Sequence, residues 1–242
     1  MNSSLNHHVL RMSGLLLGFC LQLHGQNFVN LDFESANLPV IPAGQSGGFV
    51  LASDALPGWQ VFYGTDTTPV ATVLHNDYTL GMRSFSILGP NFNSAAIIEG
   101  QFTAFLQAAN PGVTGISNRN VAIAQTGLVP NLAQSLQFKV PLFNQIGVGF
   151  HTNFFLSLNG QTLSLIPLDV TATYASYGVD VTSFAGQVAD LRFTSFGTPL
   201  RPDNSVSVDS FQFSNTAVPE PGMWALLGLG AAGWCAVRRR RK

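Results

Sequence analysis

Apolar and polar residues alternate in short runs along most of the chain, starting where Val29, Leu31 and Phe33 interleave with Asn30, Asp32 and Glu34. A period of two predicts a half-buried β-strand, one face on a core and one on water. Similar runs at 59–63, 72–75, 84–88, 96–99, 102–107, 121–125, 135–140, 179–181, 189–193 and 206–213 are bounded by Gly, Pro and Asn. The clearest is a hairpin. Phe155-Leu156-Ser157-Leu158 and Gln161-Thr162-Leu163-Ser164-Leu165 flank Asn159-Gly160, the pair that supplies the positive φ angles of a type I′ turn. No helical period is long enough to compete. About a dozen short strands in one domain predict an all-β fold, a two-sheet antiparallel β-sandwich, rather than a membrane barrel, whose strands are longer.

The two ends break this pattern. Arg11 precedes the apolar run 15–21, which gives way to His24-Gly25-Gln26. That order is a secretory signal helix, too short to span a bilayer and read by the Sec export machinery. Cleavage is expected near Gly25, although Leu23 stands where a small residue is preferred, and Phe19 before Cys20 opposes a lipoprotein reading. At the other end an apolar segment, 223–237, predicts a C-terminal transmembrane helix closed by Arg238, Arg239, Arg240, Arg241 and Lys242. At about 1.5 Å per residue it spans about 22 Å of a core about 30 Å thick, a mismatch that snorkelling arginines and local thinning absorb. The basic end stays cytoplasmic while the body lies across the membrane. The expected division is 1–25 signal, 26–217 β-sandwich, 218–242 motif, helix and basic tail.

With the ends set aside, charge and cysteine say more. The chain is formally −1, but residues 26–217 carry eleven Asp or Glu against Arg83, Arg119, Lys139, Arg192 and Arg201. An acidic body without a basic run disfavours nucleic acid. Cys20 and Cys235 both fall in the end segments. The body is therefore expected to hold no disulfide, thiol nucleophile or cysteine-ligated metal.

Catalytic candidates are few. His75 and His151 are the body's histidines, and neither sits in a motif; the body has no His-Glu-x-x-His, P-loop or Rossmann fingerprint. Two carboxylates can serve a glycosidase, and Glu99, Asp169, Asp180 and Asp190 are available, but nothing in their spacing pairs them. Glu99 follows Ile97-Ile98 and reads as a surface carboxylate at a strand end. Asp180 is placed to accept a turn bond from nearby backbone. For sugar stacking the candidates are Trp59, Tyr63, Tyr78, Tyr174 and Tyr177. Trp59 is expected in the core, whereas Tyr174 and Tyr177 lie near a turn and are expected to face solvent. Trp59, Tyr174 and Tyr177 form the candidate glycan-binding set.

Val218-Pro219-Glu220-Pro221, the apolar segment and the basic cluster together resemble a PEP-CTERM sorting signal. The resemblance covers the tail alone. It implies export in a Gram-negative, exopolysaccharide-making bacterium and recognition by a membrane-embedded exosortase, a cysteine transpeptidase-like enzyme whose substrate this chain would be. Prolines in the motif keep it extended. Residues 214–217 alone separate the final strand from the motif, about 14 Å at about 3.5 Å per residue, which predicts a body close to the membrane.

The body is similar to exported jelly-roll modules of the galactose-binding-like and carbohydrate-binding class. The similarity is carried by Asn30-Leu31-Asp32-Phe33-Glu34, Leu56-Pro57-Gly58-Trp59, Gly178-Val179-Asp180-Val181-Thr182-Ser183-Phe184-Ala185-Gly186 and Ser207-Val208-Asp209-Ser210-Phe211. It implies a jelly roll, exopolysaccharide as a partner, and a structural calcium ion between the opening Glu34 and the closing Asp209. Calcium wants six to eight oxygens, so backbone carbonyls would complete the shell. The expected function is a non-catalytic structural or glycan-associating surface protein. Its rivals are a secreted carbohydrate-active hydrolase and an uncleaved single-pass membrane-anchored scaffold.

Overall fold

A computed structural model describes residues 26–45, 47–79, 81–92, 96–110, 114–116, 118–142, 153–197 and 205–219. The signal segment, His151, Glu220, Pro221, the apolar tail and the basic cluster lie outside the described residues. Thirteen strands appear among the described residues: β1 Gly48–Leu51, β2 Gln60–Tyr63, β3 Thr72–His75, β4 Ser84–Leu88, β5 Thr103–Gln107, β6 Val121–Leu128 and β7 Ser135–Pro141 come first. β8 Phe154–Leu158, β9 Gln161–Thr162, β10 Ile166–Val170, β11 Tyr174–Asp180, β12 Val188–Ser195 and β13 Ser205–Ser214 follow. The helical elements named among the described residues are one turn at Ala52–Ala55 and a 3-10 turn at Thr182–Phe184. No helix among the described residues is long and apolar enough to cross a membrane.

The strands form two sheets, ordered β1-β3-β4-β5-β13-β7-β11-β10 and β2-β6-β12-β8-β9. Alternation explains what lies between them. Leu136, Phe138 and Val140 of β7 and Ala175, Tyr177 and Val179 of β11 meet Leu156 and Leu158 of β8, Leu191 and Phe193 of β12 and Ile123 of β6 in one core. Phe138 is its hub, with ring centroids 6.1 Å from Phe154, 5.9 Å from Tyr177, 5.7 Å from Phe193 and 5.4 Å from Phe211.

Several expectations change. The opening alternation at 29–34 is not a strand: outside the single bridge of Asn27 to Leu128, this segment is turns. Asn30 and Phe33 have φ of 50° and 61°, so the chain coils instead of extending. The alternation reports burial only around Phe33, which is fully buried between exposed Asp32 and Glu34, whereas Val29 is 52% exposed. Residues 96–99 form no strand either. The hairpin forms with Asn159 and Gly160 at φ 48° and 77°, but its second arm stops after Thr162. Leu163 turns into the core and the chain crosses to the other sheet as β10, a strand the pattern missed.

The isolated bridge of Asn27 to Leu128 is parallel, and among the described strands every pair is antiparallel except β3–β4. Asn76 makes that reversal with φ 49°, donating its N–H to Ile87 O at 3.1 Å, while its side-chain carbonyl accepts from Gly89 N at 2.7 Å. Beside it, His75 is 1% exposed, and neither ring nitrogen has a hydrogen-bond partner. Burial alone pulls its pKa below the ordinary value. The unfolded chain therefore takes up this proton first, and stability falls as pH drops below about 6.5, by about 1.4 kcal/mol per pH unit until the folded imidazole titrates. Urea melts at pH 7.0, 6.0 and 5.5 should show the wild type losing stability relative to His75→Phe as pH falls, the difference between the two proteins isolating this group.

Candidate functional site

The segment 30–35 is organised by Asn30, whose backbone carbonyl accepts from Trp59 Nε1 at 2.8 Å and whose side-chain oxygen accepts from Ser35 N at 2.9 Å. Phe33 pushes into the core against Trp59 and Phe211, at 5.6 and 6.2 Å between centroids. Its burial offsets the cost of a left-handed backbone at a bulky residue. Glu34, next in the chain, is thereby turned outward beside the 99–102 loop. Its Oε1 accepts from Gln101 N at 2.9 Å and Phe102 N at 3.0 Å. Gly100 permits this approach: with φ +62°, a Cβ there would stand 2.3 Å from Glu34 Oε1.

β13 reaches the same place from the other side. It pairs with β5 through Val208 and with β7 from Asp209, then slips register before Gln212. Ser210, at φ 54°, sits in that bulge, and Phe211 N donates to Leu31 O at 2.9 Å, tying the bulge to the opening segment. The result is an open pocket of about 330 Å³ lined by Asp32, Glu34, Glu99, Gly100, Asp209 and Ser210 among others.

Two carboxylates here have opposite environments. Glu99 is ion-paired with Lys139 and accepts from Ser210 Oγ at 2.6 Å. The Lys139 bond, then the Ser210 bond, holds its carboxyl below the usual range. Asp209 is 1% exposed, accepting from Thr103 Oγ1 at 2.6 Å and Ser210 N at 2.6 Å. Burial pushes it up to about 7, and the nearby charge of Glu34 adds to the rise against the opposing hydrogen bonds. Its cross-strand neighbour is Lys139, but that ammonium is engaged by Glu99 and by the Tyr174 ring, 5.0 Å away. Asp209 thus faces negative charge with no cation on it. Among the described residues, no group of three or more His, Cys, Asp or Glu is arranged to hold a metal.

Glu34 and Asp209, linked in the sequence only by resemblance, do come together here. Lys139, Thr103, Ser210 and Gly100 were missed; the Gly after Glu99 was the one visible signal. Asp180 accepts from Thr182 N at 2.8 Å, as its turn position implied, and Asp190 lies 3.7 Å from Arg192. Asp169 bonds the N–H of Val170 at 2.8 Å. The candidate glycan set separates. Trp59 is 4% and Tyr177 7% exposed, both spent on the core, so the expectation that Tyr177 faces solvent is corrected: its place on β11 points it at Phe138. Tyr174 alone of the three keeps part of its ring at the surface, under Lys139.

The chain leaves this two-sheet sandwich through β13, whose end leads directly into Val218-Pro219. The PEP-CTERM protein-sorting motif matches residues 217–242, so the chain carries that motif as its C-terminal segment. Comparison with curated proteins gives no match. Among solved structures, the enzymatically active domain of a bacteriophage CBA120 tailspike protein is similar at TM-score 0.37 and 12% identity, over 65% of this chain. This chain spans 19% of that protein's length. A carbohydrate-binding module, TmCBM61, in complex with β-1,4-galactotriose is similar at TM-score 0.34 and 11% identity, over 78% of this chain and 98% of that one. TmCBM27, a carbohydrate-binding module described for mannan recognition, gives 0.35 and 13%, over 68% and 96%. Likenesses this weak decide neither ligand nor activity, and the functional reading rests on the chain's own residues.

Proposed function

We propose that this is an exported, exosortase-sorted surface protein whose β-sandwich is a non-catalytic structural or exopolysaccharide-associating module. The sorting motif at 217–242 carries this reading. The division into signal (1–25), body (26–217) and sorting tail (218–242) belongs to it, with Sec export, transient anchoring by the apolar segment and Arg238 to Lys242 held in the cytoplasm. Cell fractionation tests it: the body should reach the surface in cells with an exosortase and remain in the inner membrane in cells without one.

The carboxylates support the non-catalytic reading. A glycosidase acid must be protonated and reach its substrate. Glu99 reaches solvent but is held ionised by Lys139, while Asp209 keeps its proton near neutrality but is sealed at 1% exposure. Purified body should therefore leave polysaccharides, esters and peptides intact. Turnover that disappears in a Glu99→Gln variant would reinstate the hydrolase. Glycan association rests on Tyr174 at the surface of β11, and a glycan array with Tyr174→Ala as its control examines it.

A structural calcium ion fits the junction. Glu34 and Asp209 would hold it and backbone carbonyls would fill the remaining positions, supplying the positive charge that buried Asp209 lacks. The ion would tie the opening segment to the closing strand.

A further inference from the structure

The end of the described chain lies on the body. After Ser214 pairs with Ser135, three successive carbonyls are held: Gln134 N donates to Ser214 O, Gln134 Nε2 to Asn215 O and Ser135 Oγ to Thr216 O, each at 2.8 Å. Thr216 N closes onto Ser214 Oγ at 3.1 Å. The tether anticipated from residue count is thus not free; its backbone is fastened to β7. Val218 then meets β11. Ala175, Tyr177 and Val179 point into the core, which puts Gly178 on the outer face of the sheet. A Cβ on Gly178 would stand 2.5 Å from Val218 Cγ1 and 3.0 Å from Leu168 Cδ1. Glycine weakens a strand interior, and here its missing side chain makes the notch that Val218 fills, with Leu168 of β10 as one wall. Val218 and Pro219 are both half-buried.

We propose that the outer face of β7, β10 and β11 is a binding site for the chain's own sorting segment, a clasp for an extended Val-Pro peptide that must open before a processing enzyme can take the motif. The docking is independent of the sorting reading; the gating of processing rests on it. The clasp fastens the carbonyls of residues 214–216 just before the motif and seats the Val218 side chain against Gly178, so an enzyme that takes the motif must wait for this stretch to leave the body, and its apparent affinity is reduced by the fraction of time the segment is released.

The test uses full-length chain with Cys20→Ser and Cys235→Ser, adding Gly178→Cys and Val218→Cys together. If the segment docks, the two thiols oxidise to an intramolecular disulfide, which needs close Cβ atoms, and dithiothreitol reopens it. Failure to oxidise, with both thiols labelled by maleimide as fast as in Val218→Cys alone, would overturn the clasp. In exosortase-containing membranes the oxidised protein should stay full-length, and reductant should restore processing to the rate of Val218→Cys. Equal processing with and without the crosslink would overturn the gating. Gly178→Ala asks the same question with the motif intact: it should expel Val218 and speed processing roughly three-fold or more. Unchanged or slower processing would count against the proposal. If the unmodified chain is never processed, the sorting reading fails, while disulfide formation still judges the docking.

Discussion

In chelator, wild-type body should lose about 4 kcal/mol of stability, relative to an Asp209→Asn variant, as pH rises from about 4 to 8. The sign follows from the folded carboxyl lying near 7 against an ordinary 3.8. A pKa raised by folding means that the native state binds the extra proton. Its contribution is complete below about 4 and is lost as pH rises through about 7. Asn is nearly isosteric and cannot ionise, so the difference between the two proteins isolates this group from His75, whose effect has the opposite slope. Four kcal/mol is a large part of the 5–15 typical of a domain. Calcium should remove the loss by neutralising the ionised carboxylate. At about 100 times its Kd it adds about 2.7 kcal/mol, roughly 5–10 °C in Tm for a body this size, and Asp209→Asn or Glu34→Gln should lose the response. Parallel pH curves for wild type and Asp209→Asn would refute the buried ionisation, and a Tm indifferent to chelation would refute the ion.

The sandwich was legible because most strands keep period two with one face on the core: β7 places Leu136, Phe138 and Val140 inward as its spelling says. Where alternation misled, at 29–34, burial was right for Phe33 but not for exposed Val29, and Phe33 reaches the core through a left-handed turn that apolar spacing does not encode. β10 alternates Ile166, Leu168 and Val170 with Pro167 and Asp169, but a proline argues against a strand interior, and Val170 is exposed at a sheet edge. The site was half legible. Glu34 and Asp209 were named through the resemblance to jelly-roll modules, whereas the Lys139–Glu99 pair depends on the register of β13 against β7, and Gly178 beside Val218 on a contact across forty residues of sequence. Local pattern reports neither. The sorting motif was legible because its signal is linear, a Val-Pro-Glu-Pro string, an apolar run and a basic cluster in order.

Replacing Pro219, Glu220 and Pro221 by alanine should abolish release and leave full-length protein in the inner membrane. The change removes two rings that favour extended backbone and puts three strong helix formers in their place, so this stretch gains access to helix, which would hide the backbone an enzyme must grip. Arg238 to Lys242 would still stop export, and the protein would persist as a single-pass anchor. The central claim, that the tail is a processed sorting signal, is tested most directly by mass spectrometry of the C-terminus of the surface-located protein from exosortase-containing cells. The account predicts a terminus within or shortly after 218–221, without the apolar run or the arginines. An intact terminus ending at Lys242 would contradict it.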